Sequence, residues 1–225
     1  IPSATVDEAT SDVDKLLNYV ENPDYGPWRD NAMFWADDIQ FSENTLHVFQ
    51  AEGALQLINQ ELGVGFNTDR AYVSMYPVAT ELAEPGQSAE TYTAVEAKRH
   101  ISQMFNTGQY FATYVGHAGP ISFGRSSHLW TQTDAEHCVN EHLPIMTTAC
   151  CDIARYDSET RGVGEIMFHK PDGGVIAMVT SARTVNASDN DALNRLFINA
   201  MFAFGKTCQY PRIGDAYMAC KQPAG

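Results

Sequence analysis

The chain has 225 residues, 44% of them apolar and 19% charged, with a net charge of −14. That length suits one large domain with a substantial core or two small ones, and the composition is globular, not disordered. The acidic excess argues against nucleic acid or an anionic membrane surface as partner and permits calcium binding or a basic substrate, while no run reaches the ~18 apolar residues of a membrane span.

The chain opens Ile1-Pro2-Ser3, without an initiator methionine or a signal peptide, which points to a processed product or a fragment of a larger multidomain protein. Residues 12–19 predict a helix, with Val13, Leu16, Leu17 and Val20 at helical spacing, ended by the turn Asn22-Pro23-Asp24-Tyr25-Gly26-Pro27. Residues 32–36 predict a short buried strand that delivers Asp37 and Asp38 to its carboxyl end. Residues 46–62 predict a helix whose apolar face is Leu46, Phe49, Ala54, Leu55, Leu57 and Ile58. A strand over 71–76 follows, then the polar loop Pro85-Gly86-Gln87-Ser88, a helix over 93–105 and a strand over 110–115 that leads to His117. Residues 120–133, rich in Ser and Gly, predict a surface loop overhanging that histidine, with Trp130 placed to line a binding cleft. A strand over 143–149 leads to the adjacent Cys150 and Cys151. Beyond it come a helix from 162 to 168, a strand over 175–180, a helix over 189–204 and a last helix over 213–221.

Strands separated by helices of this length define an α/β fold with a mostly parallel sheet and helices on both faces. Ligands of such sheets sit beyond the carboxyl ends of the strands, where Asp37, His117 and Cys151 all fall. A histidine and a cysteine at adjacent strand ends are the minimum machinery of a cysteine hydrolase. Only the thiolate attacks a carbonyl, so an imidazole must take the thiol proton, and it can later return that proton to a leaving amine. A tight turn after each strand also leaves backbone N–H groups free to hold an oxyanion.

The five cysteines are too few and too irregular for a disulfide framework. Adjacent Cys150 and Cys151 would form a strained bridge, so one of them is the reactive thiol and the other core. No CxxC or HxxxH spacing supports a metal site built from His137, Cys138, His142 and one of the paired cysteines. Trp28 and Trp35 read as core aromatics, and His47, His100, His128, His137, His142 and His169 as surface or structural residues.

Five segments in order carry a resemblance. They are Gly26-Pro27-Trp28-Arg29, Phe34-Trp35-Ala36-Asp37-Asp38, Tyr114-Val115-Gly116-His117-Ala118, the run from Thr148 through Cys150-Cys151-Asp152 to Arg155-Tyr156-Asp157, and Gly164-Glu165. Together they resemble the gingipain-like cysteine peptidases, and among these the sortases of the type IX secretion system. The resemblance spans residues 28–221 and implies a caspase-like catalytic domain over 1–225.

Matching Arg155-Tyr156-Asp157 without gaps puts the family's nucleophile at Cys151. The resemblance makes His117 the general base, Asp37 (with Asp38 as alternative) the carboxylate that orients it, and the N–H groups of Ala118 and Cys151 the oxyanion hole. Arg155 would shape the substrate cleft or form an ion pair with Asp157. The family's His-Gly is His117-Ala118 here, which leaves the N–H in place provided that no positive φ is needed. The resemblance further implies no cofactor for catalysis, with structural calcium allowed. Its partners would be secreted cargo carrying a C-terminal signal and outer-membrane secretion proteins, at the surface of a Gram-negative bacterium.

Overall fold

Residues 32–36 read Ala-Met-Phe-Trp-Ala, 111–115 read Phe-Ala-Thr-Tyr-Val and 145–149 read Ile-Met-Thr-Thr-Ala, runs without a charge. Such segments are stable only as strands covered on both faces. The computed structural model describes residues 3–37, 45–77, 79–81, 91–93, 95–124, 129–203 and 211–221. Asp38, the Pro85-Gly86-Gln87-Ser88 loop, His128 and Cys208 lie outside the described residues.

In chain order the elements are α1 (Val6–Glu21), β1 (Asn31–Ala36), α2 (Leu46–Gln56, extended by a wider turn over Leu57–Glu61), β2 (Asn67–Tyr72), β3 (Ala79–Glu81), β4 (Thr91–Thr93), α3 (Val95–Thr107), β5 (Phe111–Val115), β6 (Ala118–Gly119), β7 (Ser122–Phe123), β8 (Trp130–Thr131), α4 (Gln132–Glu136), β9 (Ile145–Ala149), α5 (Val163–His169), β10 (Ala177–Val179), α6 (Ala187–Phe202) and α7 (Ile213–Lys221). Five strands form one sheet in the order β10-β9-β5-β1-β2, and every pairing in it is parallel.

Strand periodicity sends alternate side chains to opposite faces and so divides the core in two. Met33, Trp35, Ala112, Tyr114 and Met146 face α3, α4, α5 and the small antiparallel sheet β6-β7-β8. Ala32, Phe34, Phe111, Val115 and Ile145 face α2, α6 and α7. The α/β expectation is met: the sheet is parallel, with helices on both sides.

Three local expectations are corrected. The strand predicted over 71–76 ends at Tyr72, where the chain tightens into a single 3₁₀ turn over Val73–Met75. Phe49, expected on the buried side of α2, is exposed, and the helix packs through Ala51, Ala54 and Leu55 instead. The helix α1 forms as predicted but is rotated, with Val13, Leu17 and Val20 facing solvent. Its inward face carries charge: Asp12 is 2% exposed and accepts from Ser3 Oγ at 2.8 Å, with His169 Nδ1 3.0 Å from its carboxylate. Lys15 Nζ donates to the carbonyls of Phe168, Lys170 and Gly173 at 2.8–2.9 Å, which closes the open carbonyl end of α5.

These orientations are checked by urea unfolding. Ile101→Ala, in the interior between α3 and the sheet, should lose ~2–5 kcal/mol, whereas Leu17→Ala and Phe49→Ala should stay within about 0.5 kcal/mol of the parent.

Candidate active site

β5 and β9 pair with a constant offset, Phe111 opposite Ile145 through Val115 opposite Ala149. Just beyond the ladder the Gly116 N–H still donates to the Ala149 carbonyl at 3.2 Å, and His117 and Cys151 each follow the last paired residue of their strand by two positions. On the other side of β5, β1 ends at Asp37, which is buried and whose N–H donates to the Val115 carbonyl at 3.3 Å. The three sequence-predicted residues Asp37, His117 and Cys151 thus come off the ends of three neighbouring strands.

The turn at the histidine is fixed by packing. A methyl group on Gly116 would lie 2.5 Å from Tyr114 Oη and 3.0 Å from Asp37 Cβ, so no side chain fits there. The wholly buried Tyr114 donates its hydroxyl to the His117 carbonyl at 2.6 Å, and the Gly124 N–H reaches the same carbonyl at 2.9 Å. β6 and β7 pair antiparallel with Ala118 opposite Phe123. Because Gly124 bonds His117, ladder alternation makes Ala118 the non-hydrogen-bonded position and directs its N–H away from β7. Asp152 is the sole described non-glycine residue with positive φ, so Ala118 needs no glycine, and its methyl packs on the core.

The cysteines separate by environment. Cys150 is 2% exposed, its carbonyl accepts from Asn190 Nδ2 at 3.2 Å and from Ser181 Oγ, and burial pushes its thiol up to about 12. Cys151 is half-buried, with its Sγ 3.4 Å from the Val185 N and 3.6 Å from the Val185 carbonyl. Asp152 takes the left-handed region at φ +53°, where its carboxylate accepts from Thr184 Oγ1 at 3.0 Å. Among the described residues the Cys151 N–H makes no hydrogen bond.

One helix end joins the two turns. The first N–H groups of a helix have no partner within it, and in α5 the Val163 N–H donates to Pro120 at 2.7 Å while the Gly164 N–H donates to Ile153 at 3.0 Å. Pro120 follows the histidine turn and Ile153 follows the cysteine turn. Methyl groups at Gly162 or Gly164 would sit 2.7 Å and 2.9 Å from the Ile153 carbonyl, and the Glu165 carboxylate accepts from the Gly162 N–H at 2.8 Å. The Gly164-Glu165 motif therefore builds the frame of the site.

Other sequence-predicted residues fall elsewhere. Trp130 does not line a cleft: it is 2% exposed, its ring 5.4 Å from Phe105 and 6.5 Å from Trp35, because it lies in β8, which pairs with β7 in the small antiparallel sheet, instead of in a surface loop. Arg155 is exposed, and the ion pair that ties the loop after Cys151 joins Asp157 to Arg183. Sequence reading missed Arg183, and it missed His47. The His47 ring is buried on α2 and meets the His117 ring edge to face with centroids 5.0 Å apart. His137, Cys138 and His142 are dispersed, bonded to Thr133, bonded to Asn140 and stacked on Trp28. Among the described residues no three His, Cys, Asp or Glu side chains are grouped to hold a metal ion. A cavity of about 400 Å³ opens beside the cysteine loop, lined by Ala154, Gly164, Phe168, Met178 and Thr180.

A histidine and a half-buried cysteine at the carboxyl ends of adjacent parallel strands form an arrangement suited to thiol-based acyl chemistry. The model of peptidase family C25 matches residues 1–224, and the chain belongs to that family. Among solved structures it is similar to gingipain R (RgpB), described as an Arg-specific cysteine proteinase, at 16% identity and a TM-score of 0.68 over 97% of this chain and 47% of that one. It is also similar to the complex of Porphyromonas gingivalis RgpB pro- and mature domains, at 13% identity and a TM-score of 0.58 over 96% and 52%. These likenesses show the gingipain fold, and the chain spans about half the length of the solved chains. No curated protein matches it.

The two thiols should differ in alkylation of the folded protein. With its pKa raised to about 12, Cys150 is ~0.1% thiolate at pH 9, so iodoacetamide should modify Cys151 and leave Cys150 unmodified by mass spectrometry. Equal labelling of both would contradict the assignment.

Proposed function

We propose that Cys151 is the nucleophile and His117 the general base of a cysteine endopeptidase. The observation that supports this most directly is the parallel β5–β9 pairing, from whose carboxyl ends the turns carrying His117 and the accessible member of the cysteine pair both leave. His117 takes the thiol proton as sulfur attacks the peptide carbonyl. The oxyanion is held by the N–H groups of Ala118 and Cys151, the first turned away from its hairpin and the second unbonded among the described residues. Collapse expels the amine, which takes its proton back from the imidazole, and leaves a thioester that water or a second amine attacks. Asp37, buried at the end of β1, is the carboxylate that orients the histidine.

The finer reading is a PorU-like sortase of the type IX secretion system. Such an enzyme removes the C-terminal signal of secreted cargo and joins the new carboxyl end to anionic lipopolysaccharide at the outer membrane, in contact with secretion-system proteins. Its support is the order of the five motifs along the chain. The alternative of a secreted gingipain-like protease draws on the similarity to gingipain R. A non-catalytic docking module is disfavoured, because Ala118 occupies the turn without positive φ.

Cys151→Ala in the full-length source protein should abolish peptidase activity, by ~10⁴-fold or more, and leave cargo with its C-terminal signal attached. Lost peptidase activity with normally processed cargo would support the secreted protease over the sortase. Tyr114→Phe removes one hydrogen bond to the His117 carbonyl, worth about 1 kcal/mol, and should lower kcat roughly five- to tenfold with KM little changed.

A further inference from the structure

An ordinary surface helix buries its apolar stripe and exposes its charges, whereas α1 carries a second apolar row on its outer face. Inward, Leu16 and Tyr19 pack against the core, and beside them Glu8, Asp12 and Lys15 are held by Arg161, by His169 and Ser3, and by the carbonyls of Phe168, Lys170 and Gly173. These contacts fix the helix by its inward side. Outward stand Val6, Val13, Leu17 and Val20, exposed by 82%, 48%, 49% and 72%.

Their spacing is that of a coiled-coil seam. Val6, Val13 and Val20 recur every seven residues, with Thr10 and Leu17 four beyond the first two, so valines occupy d and Thr10 and Leu17 occupy a. The e row beside the valines is Asp7, Asp14 and Glu21, all exposed and all acidic. The seam is about 21 Å long at 1.5 Å per residue.

We infer that the outer face of α1 is a docking surface for an amphipathic helix of a partner protein, one with an apolar seam at 3-4 spacing flanked by a basic row. The acidic e row selects the sign of that flank. A second copy of α1 fits poorly. Run antiparallel, the two e rows would set acid against acid, and run parallel, the seam would put leucine and threonine at a and valine at d, the reverse of the two-stranded preference. An anionic lipid surface is repelled by the same row.

The test uses the 225-residue protein and two fluorescein-labelled 21-residue helical peptides with one leucine seam, flanked by lysine in one and glutamate in the other. The lysine peptide should bind saturably by anisotropy, about tenfold tighter than the glutamate peptide at low salt, with the difference shrinking as salt rises. Leu17→Asp should weaken binding at least tenfold, and Asp14→Lys should narrow or reverse the preference, with thermal stability unchanged in both because neither side chain is buried. Cys151 alkylation should be unaffected, so the outcome is independent of the peptidase assignment. No saturable binding, equal affinity for the two peptides, binding insensitive to Leu17→Asp, dimerisation of the protein through this seam in sedimentation, or uptake by phosphatidylcholine vesicles would each overturn the proposal.

Discussion

The parallel pairing of β5 with β9 is the contact on which the rest of the site depends. In a parallel ladder the residues beyond the last pair emerge side by side and in the same direction, so one register relation places two turns at once. A slip by one residue would turn every side chain of a strand to the opposite face, moving Tyr114 out of its layer and Phe111 into it. The burial of both faces forbids such a slip, and packing far from the thiol thereby keeps the turns of His117 and Cys151 at neighbouring strand ends.

What register begins, a few hydrogen bonds complete. The histidine turn is held by its own strand through Tyr114 and by Gly124 across the hairpin, and the cysteine turn by residues 181–190. Between them the first turn of α5 gives one N–H to each loop. The far end of that helix is gripped by Lys15 and Asp12 from α1, so a chain of direct contacts runs from α1 to the histidine and cysteine turns. That chain of contacts gives Gly164-Glu165 a structural role at the junction of the two loops.

The strands were the most legible part of the sequence. β1, β5 and β9 announce themselves because burial on both faces demands uninterrupted apolar runs, and each run ends within two residues of one proposed for chemistry. Helix existence was legible too, but not orientation. In α1 the valines and leucine have the spacing of a core stripe, and only partners about 150 residues away show that the charged side is the inner one. Trp130 sits in a Ser- and Gly-rich stretch that reads as a surface loop, and its burial depends on Phe105 and Trp35 arriving from other elements. His47 has no neighbouring motif, and α2 packing alone brings it against His117. Asp157 was noticed, yet its cationic partner is Arg183, 26 positions on, instead of the nearer Arg155.

The segment that walls the thiol also sets an order of events during synthesis. A ribosome releases His117 and Cys151 well before Ser181, Val185 and Asn190, the residues that bind the Cys150 carbonyl and flank the Cys151 sulfur. Until that later stretch has emerged and β10 has joined the sheet, the cysteine turn lacks these contacts. During synthesis the two turns therefore emerge first and are locked together only when residues 181–190 follow them.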